Sequence, residues 1–386
     1  RSWMDWTGLA LLNPFPDPVD VDLVAFKNGS PVGVTSLSLA PGGKYVRLSN
    51  GIWDGVDYAD FDTIQILSAA PLPAPISITG NDAQDRHLFF AGRQRPPNDT
   101  GDVVDVDNSL GILRYVRQGE FTQGSGIMEA CRESDEAQFN HRLTRDLAVM
   151  ETEVTREMWA ALKAVQPSLP DDPSSVWLIP GANLPVNKAS WYQAVLFANL
   201  LSEARDLPPC YFKDAWHLIP VDSTNYTSGK FYCDFDAAGY RLPTEGEWEY
   251  VCRSGTESAF HFLSGGYNLS NCGQPSTPGL YPGLEGAAWF EANSDDRTHS
   301  TGTKAASSWR HHDMHGNVCE WCWDLYAAYP TVGQIDYVNS DSGTTRVLRG
   351  GSWNSPARHL RSAARASNLP TAQLNINGFR LVRTIP

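Results

Sequence analysis

Hydrophobic and polar positions alternate with a period of two through the first part of the chain. Val19-Asp-Val-Asp-Leu-Val, Val32-Gly-Val-Thr-Ser-Leu-Ser-Leu, Tyr45-Val-Arg-Leu, Thr63-Ile-Gln-Ile-Leu and Ile76-Ser-Ile are short runs of this kind, separated by Asn-Gly, Gly-Gly and Pro clusters. Successive side chains of a strand point to opposite faces, so these runs predict a small all-β unit over residues 1–108, with the polar Gly92–Asp107 segment as its linker. From about Ser109 the period changes. Met158, Trp159 and Leu162 share one face of a helix predicted over Thr152–Val165 with Thr152 as cap. Ala194, Phe197, Ala198 and Leu201 form the stripe of a second, Trp191–Ala204, capped by Ser190. In Tyr240-Arg-Leu-Pro-Thr-Glu-Gly-Glu-Trp, Pro243 ends a strand, and Thr244 with Glu247 makes a capping box that opens a short helix with Trp248 turned inward. Helices interspersed with loops and short strands give residues 109–386 an α+β character.

The pattern breaks down near the C-terminus. Val347-Leu348 leads into Gly350-Gly351, where the lack of a Cβ permits close backbone approach or positive φ, and Trp353 follows as an anchor. Phe379, Leu381 and Val382 alternate with Arg380 and Arg383, predicting a terminal strand with one buried face. Between them, residues 354–377 mix small, apolar and polar side chains without any period. A loop this long is uncommon and tends to be a binding surface.

Composition sharpens this reading. A chain of 386 residues with 41% hydrophobic residues has material for two domains, and 13 Trp, 32 Gly and 26 Pro describe a loop-rich fold fixed by aromatics. The net charge of -14 argues against nucleic acid or an anionic membrane as partner of the whole molecule, and no apolar run is long enough to insert into a membrane as a helix. Arg1-Ser2-Trp3 lacks the features of a signal peptide. After Asp341 there is no acidic residue, while Arg346, Arg349, Arg358, Arg361, Arg365, Arg380 and Arg383 all lie there. They either form an anion-binding face or brace the fold by pairing with the acidic body. Seven cysteines do not read as a disulfide framework. Cys319 and Cys322 have the spacing of a redox or metal pair, and His311 and His315 that of a ligand pair, but neither has partners in sequence.

Several motifs follow one another in order: Val154-Thr-Arg-Glu-Met-Trp159, Pro185-Val-Asn-Lys-Ala-Ser-Trp191, Tyr240 to Tyr250, Asp313-Met-His-Gly-Asn-Val-Cys-Glu-Trp321, Arg346-Val-Leu-Arg-Gly-Gly-Ser-Trp353 and Gly378-Phe-Arg380. Together they resemble the formylglycine-generating-enzyme, or sulfatase-modifying-factor, family. The resemblance implies a C-type lectin fold of that type over 109–386, preceded by the small all-β domain. It also implies a structural Ca²⁺ on Asp313, the carbonyls of Gly316 and Val318, and Glu320; the alternative is that the two carboxylates pair with the C-terminal arginines. No cofactor is otherwise required. The family's oxidases hold copper on two cysteines whose positions are occupied here by Ser355 and Leu360, so the resemblance implies a non-enzymatic relative.

A scaffold of this fold without the thiolates is most similar to the variable proteins of diversity-generating retroelements, phage or microbial receptor-binding proteins with a diversified C-terminal surface. Adenine-directed mutagenesis of Asn codons there never yields Lys, Glu, Met or Trp, and none of these occurs from Asn354 to Asn377, although Gln373 is equally unreachable. This resemblance implies a variable segment of about 353–378. Its ligand-binding residues would be Asn354, Ser355, Pro356, His359, Ala364, Ala366, Ser367, Leu369, Thr371, Ala372, Leu374, Asn375, Ile376 and Asn377, held by Gly350, Gly351, Trp353, Arg361, Arg365 and Phe379. The implied partner is a protein or glycan on a target cell or virus, and the implied location is a virion or cell surface. The alternatives are a divergent oxidase of the sulfatase-modifying-factor group and a structural component of a virion or surface complex.

Overall fold

The computed structural model describes the backbone of strands between positions 8 and 79, and residues 100–107, 111–174, 183–262, 279 and 282–385. The chain forms two units, Arg1–Pro96 and Pro97–Pro386. The first contains β1 (Gly8–Leu12), β2 (Val19–Lys27), β3 (Ser30–Leu39), β4 (Lys44–Leu48), β5 (Thr63–Ser68) and β6 (Ser77–Thr79). They form two three-stranded antiparallel sheets, ordered β4-β1-β6 and β3-β2-β5. The strands follow the alternating runs of the sequence.

The second unit opens with β7 (Val103–Asp107), β8 (Gly111–Val116), β9 (Gly119–Gln123), β10 (Phe139–Leu143) and β11 (Leu147–Met150). β7 pairs antiparallel with β8, so the end of the expected linker belongs to this unit's main sheet. The helices α1 (Arg156–Val165) and α2 (Trp191–Ala204) follow, then β12 (Tyr211–Phe212), β13 (Tyr232–Cys233), β14 (Tyr240–Arg241), α3 (Glu245–Arg253) and α4 (Pro282–Ala287). The last strands are β15 (Cys319–Leu325), β16 (Gln334–Ile335), β17 (Arg346–Arg349), β18 (Ala366–Asn368), β19 (Asn377–Gly378) and β20 (Val382–Thr384).

Two sheets position the C-terminal segment. The first is five-stranded, β14-β20-β11-β8-β7, and the second four-stranded, β18-β17-β15-β19. Every residue of β11 is buried because both of its faces are covered. Ala148 and Met150 pack with Trp159, Phe197 and Phe379, while Leu147 and Val149 pack with Trp248, Val347 and Val382. Two core tryptophans satisfy their polar edge on backbone: Trp191 Nε1 donates to the Cys322 carbonyl at 2.9 Å and Trp321 Nε1 to that of Ala189 at 2.8 Å.

The caps of α2 and α3 form as expected, Ser190 accepting from Gln193 N and Thr244 from Glu247 N. Helix α2 is buried around most of its circumference, not along one stripe. Helix α1 starts later than predicted, with Thr155 and not Thr152 as cap. Tertiary pairing explains the shift: Val154 N donates to the Phe379 carbonyl at 2.9 Å and its own carbonyl accepts from Val186 N at 2.8 Å, which holds that stretch extended. The terminal strand also differs from expectation. Arg380, expected on an open face, is 1% exposed.

Candidate ligand-binding face

The segment after β17 leaves the sheet through Gly350 and Gly351, at φ 88° and 70°. A Cβ on Gly351 would lie 3.0 Å from the His359 carbonyl oxygen, and one on Gly350 would lie 3.1 Å from the Trp248 ring, so both freedoms of glycine are used here. Trp353 then turns inward. Its Nε1 donates to the Asn375 carbonyl at 3.2 Å and its own carbonyl accepts from Ser294 Oγ at 2.7 Å, which ties the start of the segment to its end. Ala357–Leu360 forms one 3₁₀ turn that buries Leu360 against Phe260, Leu284 and Phe290.

Buried ion pairs fix the rest. Arg361 places Nη1 and Nη2 on Glu136 at 2.7 and 2.5 Å and Nη1 also on Glu129 at 2.7 Å. Arg365 grips Glu245 through Nε and Nη2 at 2.6 and 2.8 Å and stacks on Tyr329. Arg349 pairs with Glu249 and donates to the Ala364 carbonyl. Arg380 grips Glu320 through Nε and Nη2, both at 2.7 Å. These four arginines are internal braces, and the bidentate geometry of Arg361, Arg365 and Arg380 gives those three a defined direction. Burial pushes the Glu245 carboxyl up, but Arg365 and Arg349 outweigh it and leave it below the ordinary carboxylate range. At Glu129 burial wins over Arg361 and the carboxyl is raised. Arg346 pairs with no carboxylate among the described residues. It lies over the rings of Trp191 and Trp323, and burial lowers its guanidinium to about 10.

On this frame Asn354, His359, Ala366, Leu369, Thr371 and Leu374 are exposed, and Ser355, Pro356, Ser367, Ala372, Asn375 and Ile376 are half-buried. Ala364 and Asn377 are not on the surface. Ala364 packs inward beside the Arg349 guanidinium, and Asn377 pairs with Cys319 in β19 and is fully buried. The segment is therefore not a bare loop, because β18 pairs with β17 at one sheet edge and β19 with β15 at the other. Gln373 is held by the scaffold: its Nε2 donates at 2.9 Å to Gln193 Oε1, which also accepts from Ser190 N in the cap of α2. Trp191 N donates to the Pro370 carbonyl and Lys188 N to that of Leu374, so the same helix end carries the middle of the segment.

Of the four expected calcium ligands, Glu320 is already paired with a cation of the chain itself. Both Glu320 oxygens accept from Arg380, and Oε2 accepts also from Trp248 Nε1 at 2.9 Å, so a guanidinium stands where a cation would have to. Asp313 Oδ2 accepts from Gly302 N at 2.7 Å, and Gly316 N donates to the Gly350 carbonyl. Val318 is buried. No three His, Cys, Asp or Glu side chains converge as a metal group among the described residues.

Chemistry through thiols fares no better. Ser355 Oγ accepts from Ser352 N and Leu360 is fully buried, so the two positions hold a hydroxyl and a hydrocarbon. Cys319 and Cys322 stand three residues apart on β15, where that spacing sends side chains to opposite faces; they fall in different core clusters. Burial pushes the Cys319 thiol to about 12. Cys131 is disulfide-bonded, a bridge the odd cysteine count did not suggest, and Cys272 lies outside the described residues. His311 and His315 are both fully buried, and His315 Nδ1 bonds the Leu360 carbonyl at 2.6 Å, which makes it structural. The sequence reading missed Glu129, Glu136 and Gln193. It quoted Glu245 and Glu249 only as part of a motif, although three glutamates at alternate positions of a short helix near an arginine-rich tail could have suggested the pairing.

Comparison with known proteins agrees with this architecture. The sulfatase-modifying factor enzyme 1-like domain matches residues 112–385. The formylglycine-generating enzyme of Streptomyces coelicolor is 35% identical over 174 residues, covering 42% of this chain and 51% of that enzyme, about half its length. A protein of Paenibacillus barcinonensis described as chaperone protein LppX is 28% identical over 219 residues, 54% of this chain and 69% of its own. Among solved structures, Treponema denticola variable protein 1 superposes with a TM-score of 0.58 at 28% identity, covering 71% of this chain and 95% of that one. The α+β fold of the second unit is the C-type lectin fold of the formylglycine-generating type, and the chain belongs to the sulfatase-modifying factor enzyme 1-like family.

Proposed function

We propose that this chain is a non-enzymatic ligand-binding protein whose C-terminal segment is a diversified surface, as in the variable proteins of diversity-generating retroelements. One observation carries the reading: the residues open to water between Asn354 and Ile376 take little part in the bracing, while the braces are buried and their counter-charges come from outside the segment. Such a division lets the displayed side chains change without unfolding the scaffold. The likeness to a variable protein and the absence of Lys, Glu, Met and Trp from 354–377 support it. The partner is a protein or glycan on a target cell or virus. Sequencing the gene's surroundings tests the reading: a reverse transcriptase beside a near-copy of the 3′ end is expected, and an isolated gene with no such repeat counts against it.

The likeness to a formylglycine-generating enzyme favours a second reading, a divergent oxidase. Against it stand Ser355 and Leu360, which offer Cu(I) no thiolate. Copper-loaded protein incubated under oxygen with a cysteine peptide should give no formylglycine by mass spectrometry. Turnover that disappears in a Cys319→Ser, Cys322→Ser variant would establish the oxidase instead.

A further inference from the structure

The loop between β9 and β10 carries two of the most exposed large apolar side chains among the described residues, Ile127 at 87% and Met128 at 91%. Their turn is closed by Glu129 N donating to the Gly126 carbonyl at 2.9 Å. The base of the loop is cross-braced: Ser125 N and Oγ bond the Glu136 carbonyl and carboxylate, Arg132 Nε donates to the Ser125 carbonyl, and Gly124 N donates to Glu249. Two large hydrocarbons held up to water by a rigid turn gain by being covered, and methionine adapts to differing surfaces.

The turn adjoins the displayed segment. Glu129, next to Met128, is held at 2.7 Å by Arg361, and Glu133 of the same loop lies 3.9 Å from the exposed His359. We propose that the Gly126–Glu129 turn completes the binding face and that the partner is a protein surface with an apolar centre and a lysine- or arginine-bearing rim. This inference rests on the display reading above and narrows its ligand class.

Chemistry on both sides of the segment supports it. Ile127 and Met128 on the turn and Leu369 and Leu374 on the segment are exposed apolar side chains, with Ile376 half-buried, and an apolar centre inside a polar rim is how protein interfaces are built. From 354 to 376 there is no Phe, Tyr or Trp, and the nearby Trp353 is buried, so the segment offers no aromatic ring on which a sugar could stack. The rim is acidic. Glu133 is exposed beside His359, and Asp295 and Asp296 are exposed in the turn that follows Ser294, which bonds the Trp353 carbonyl. The cations nearby are Arg358, Arg297, Arg132 of the same loop and Lys188, whose N bonds the Leu374 carbonyl; Arg132 Nε is spent on the Ser125 carbonyl and Arg297 lies 3.7 Å from Asp295. The acidic body of the molecule extends the same field and would speed encounter with a basic partner.

The test pans a phage-displayed library of random peptides on the full chain and measures the selected peptides as synthetic probes. Enrichment of sequences with an aliphatic centre and Lys or Arg flanks is expected. Their Kd should rise about ten-fold or more in I127S/M128S and in L374S, should stay unchanged in W216S on another exposed loop, and should rise with added salt. Met128→Lys alone, which leaves the turn intact, should also weaken basic peptides, and unchanged melting temperatures confirm that each variant folds. If L374S weakens binding but neither turn variant does, the turn is not part of the face and the display reading survives. If none of the three matters, both fall. Enrichment of acidic peptides, or binding on a glycan array with no peptide enriched, overturns the partner class.

Discussion

Leu374 and Phe379 lie in one short stretch of chain, yet water reaches 45% of the first and none of the second. Leu374→Ser should therefore change stability by no more than about 0.5 kcal/mol, whereas Phe379→Ala, which removes the ring set edge-on against Trp159 and Phe197, should cost roughly 3–5 kcal/mol. Chemical denaturation of the two variants measures the contrast, and equal losses would remove the distinction between displayed and supporting residues. Gly351→Ala belongs with Phe379. Its left-handed backbone and the His359 carbonyl 3.0 Å from a new Cβ should lower stability by about 1–2 kcal/mol without touching any exposed residue. The burial of Ala364 and Asn377 was not legible in their neighbourhood, because each is decided by a guanidinium or a strand that arrives from elsewhere in the chain.

Helices and strands divide in the same way. The caps at Ser190 and Thr244 could be read from sequence because a capping box is complete within four residues. That the late arginines brace the fold could be suspected from the lack of acids after Asp341, but Glu136 lies 225 residues before Arg361 and no local signal joins them. Arg361→Met should be costly, about 3–5 kcal/mol, because it leaves the Glu136 carboxylate buried without its cation; adding Glu136→Leu should recover much of that loss. A double-mutant cycle reads both. The carboxylates around Asp313 were expected either to hold calcium or to pair with the late arginines, and the Arg380 guanidinium on Glu320 favours the second: chelation should leave the melting temperature unmoved, while Glu320→Gln should lower it.

At the scale of the molecule, burial of ionisable groups sets a response to acid. Burial lowers the His261 imidazole from 6.5 to about 4, with the nearby His312 adding to it. A depressed folded value means that its contribution is fully present above pH 6.5 and is lost as the pH falls towards 4. The melting temperature should decline over that window, and less so in His261→Gln. A different consequence follows from the remote origin of the glutamates. Glu136, Glu245 and Glu320 stay behind if the C-terminal stretch is exchanged for a foreign one, so a graft would fold only when it brings arginines at 361, 365 and 380. Three cations and a Gly-Gly turn are then the compatibility rule for swapping cassettes between relatives, and a library built on this chain could leave the exposed positions unconstrained while holding those few letters constant.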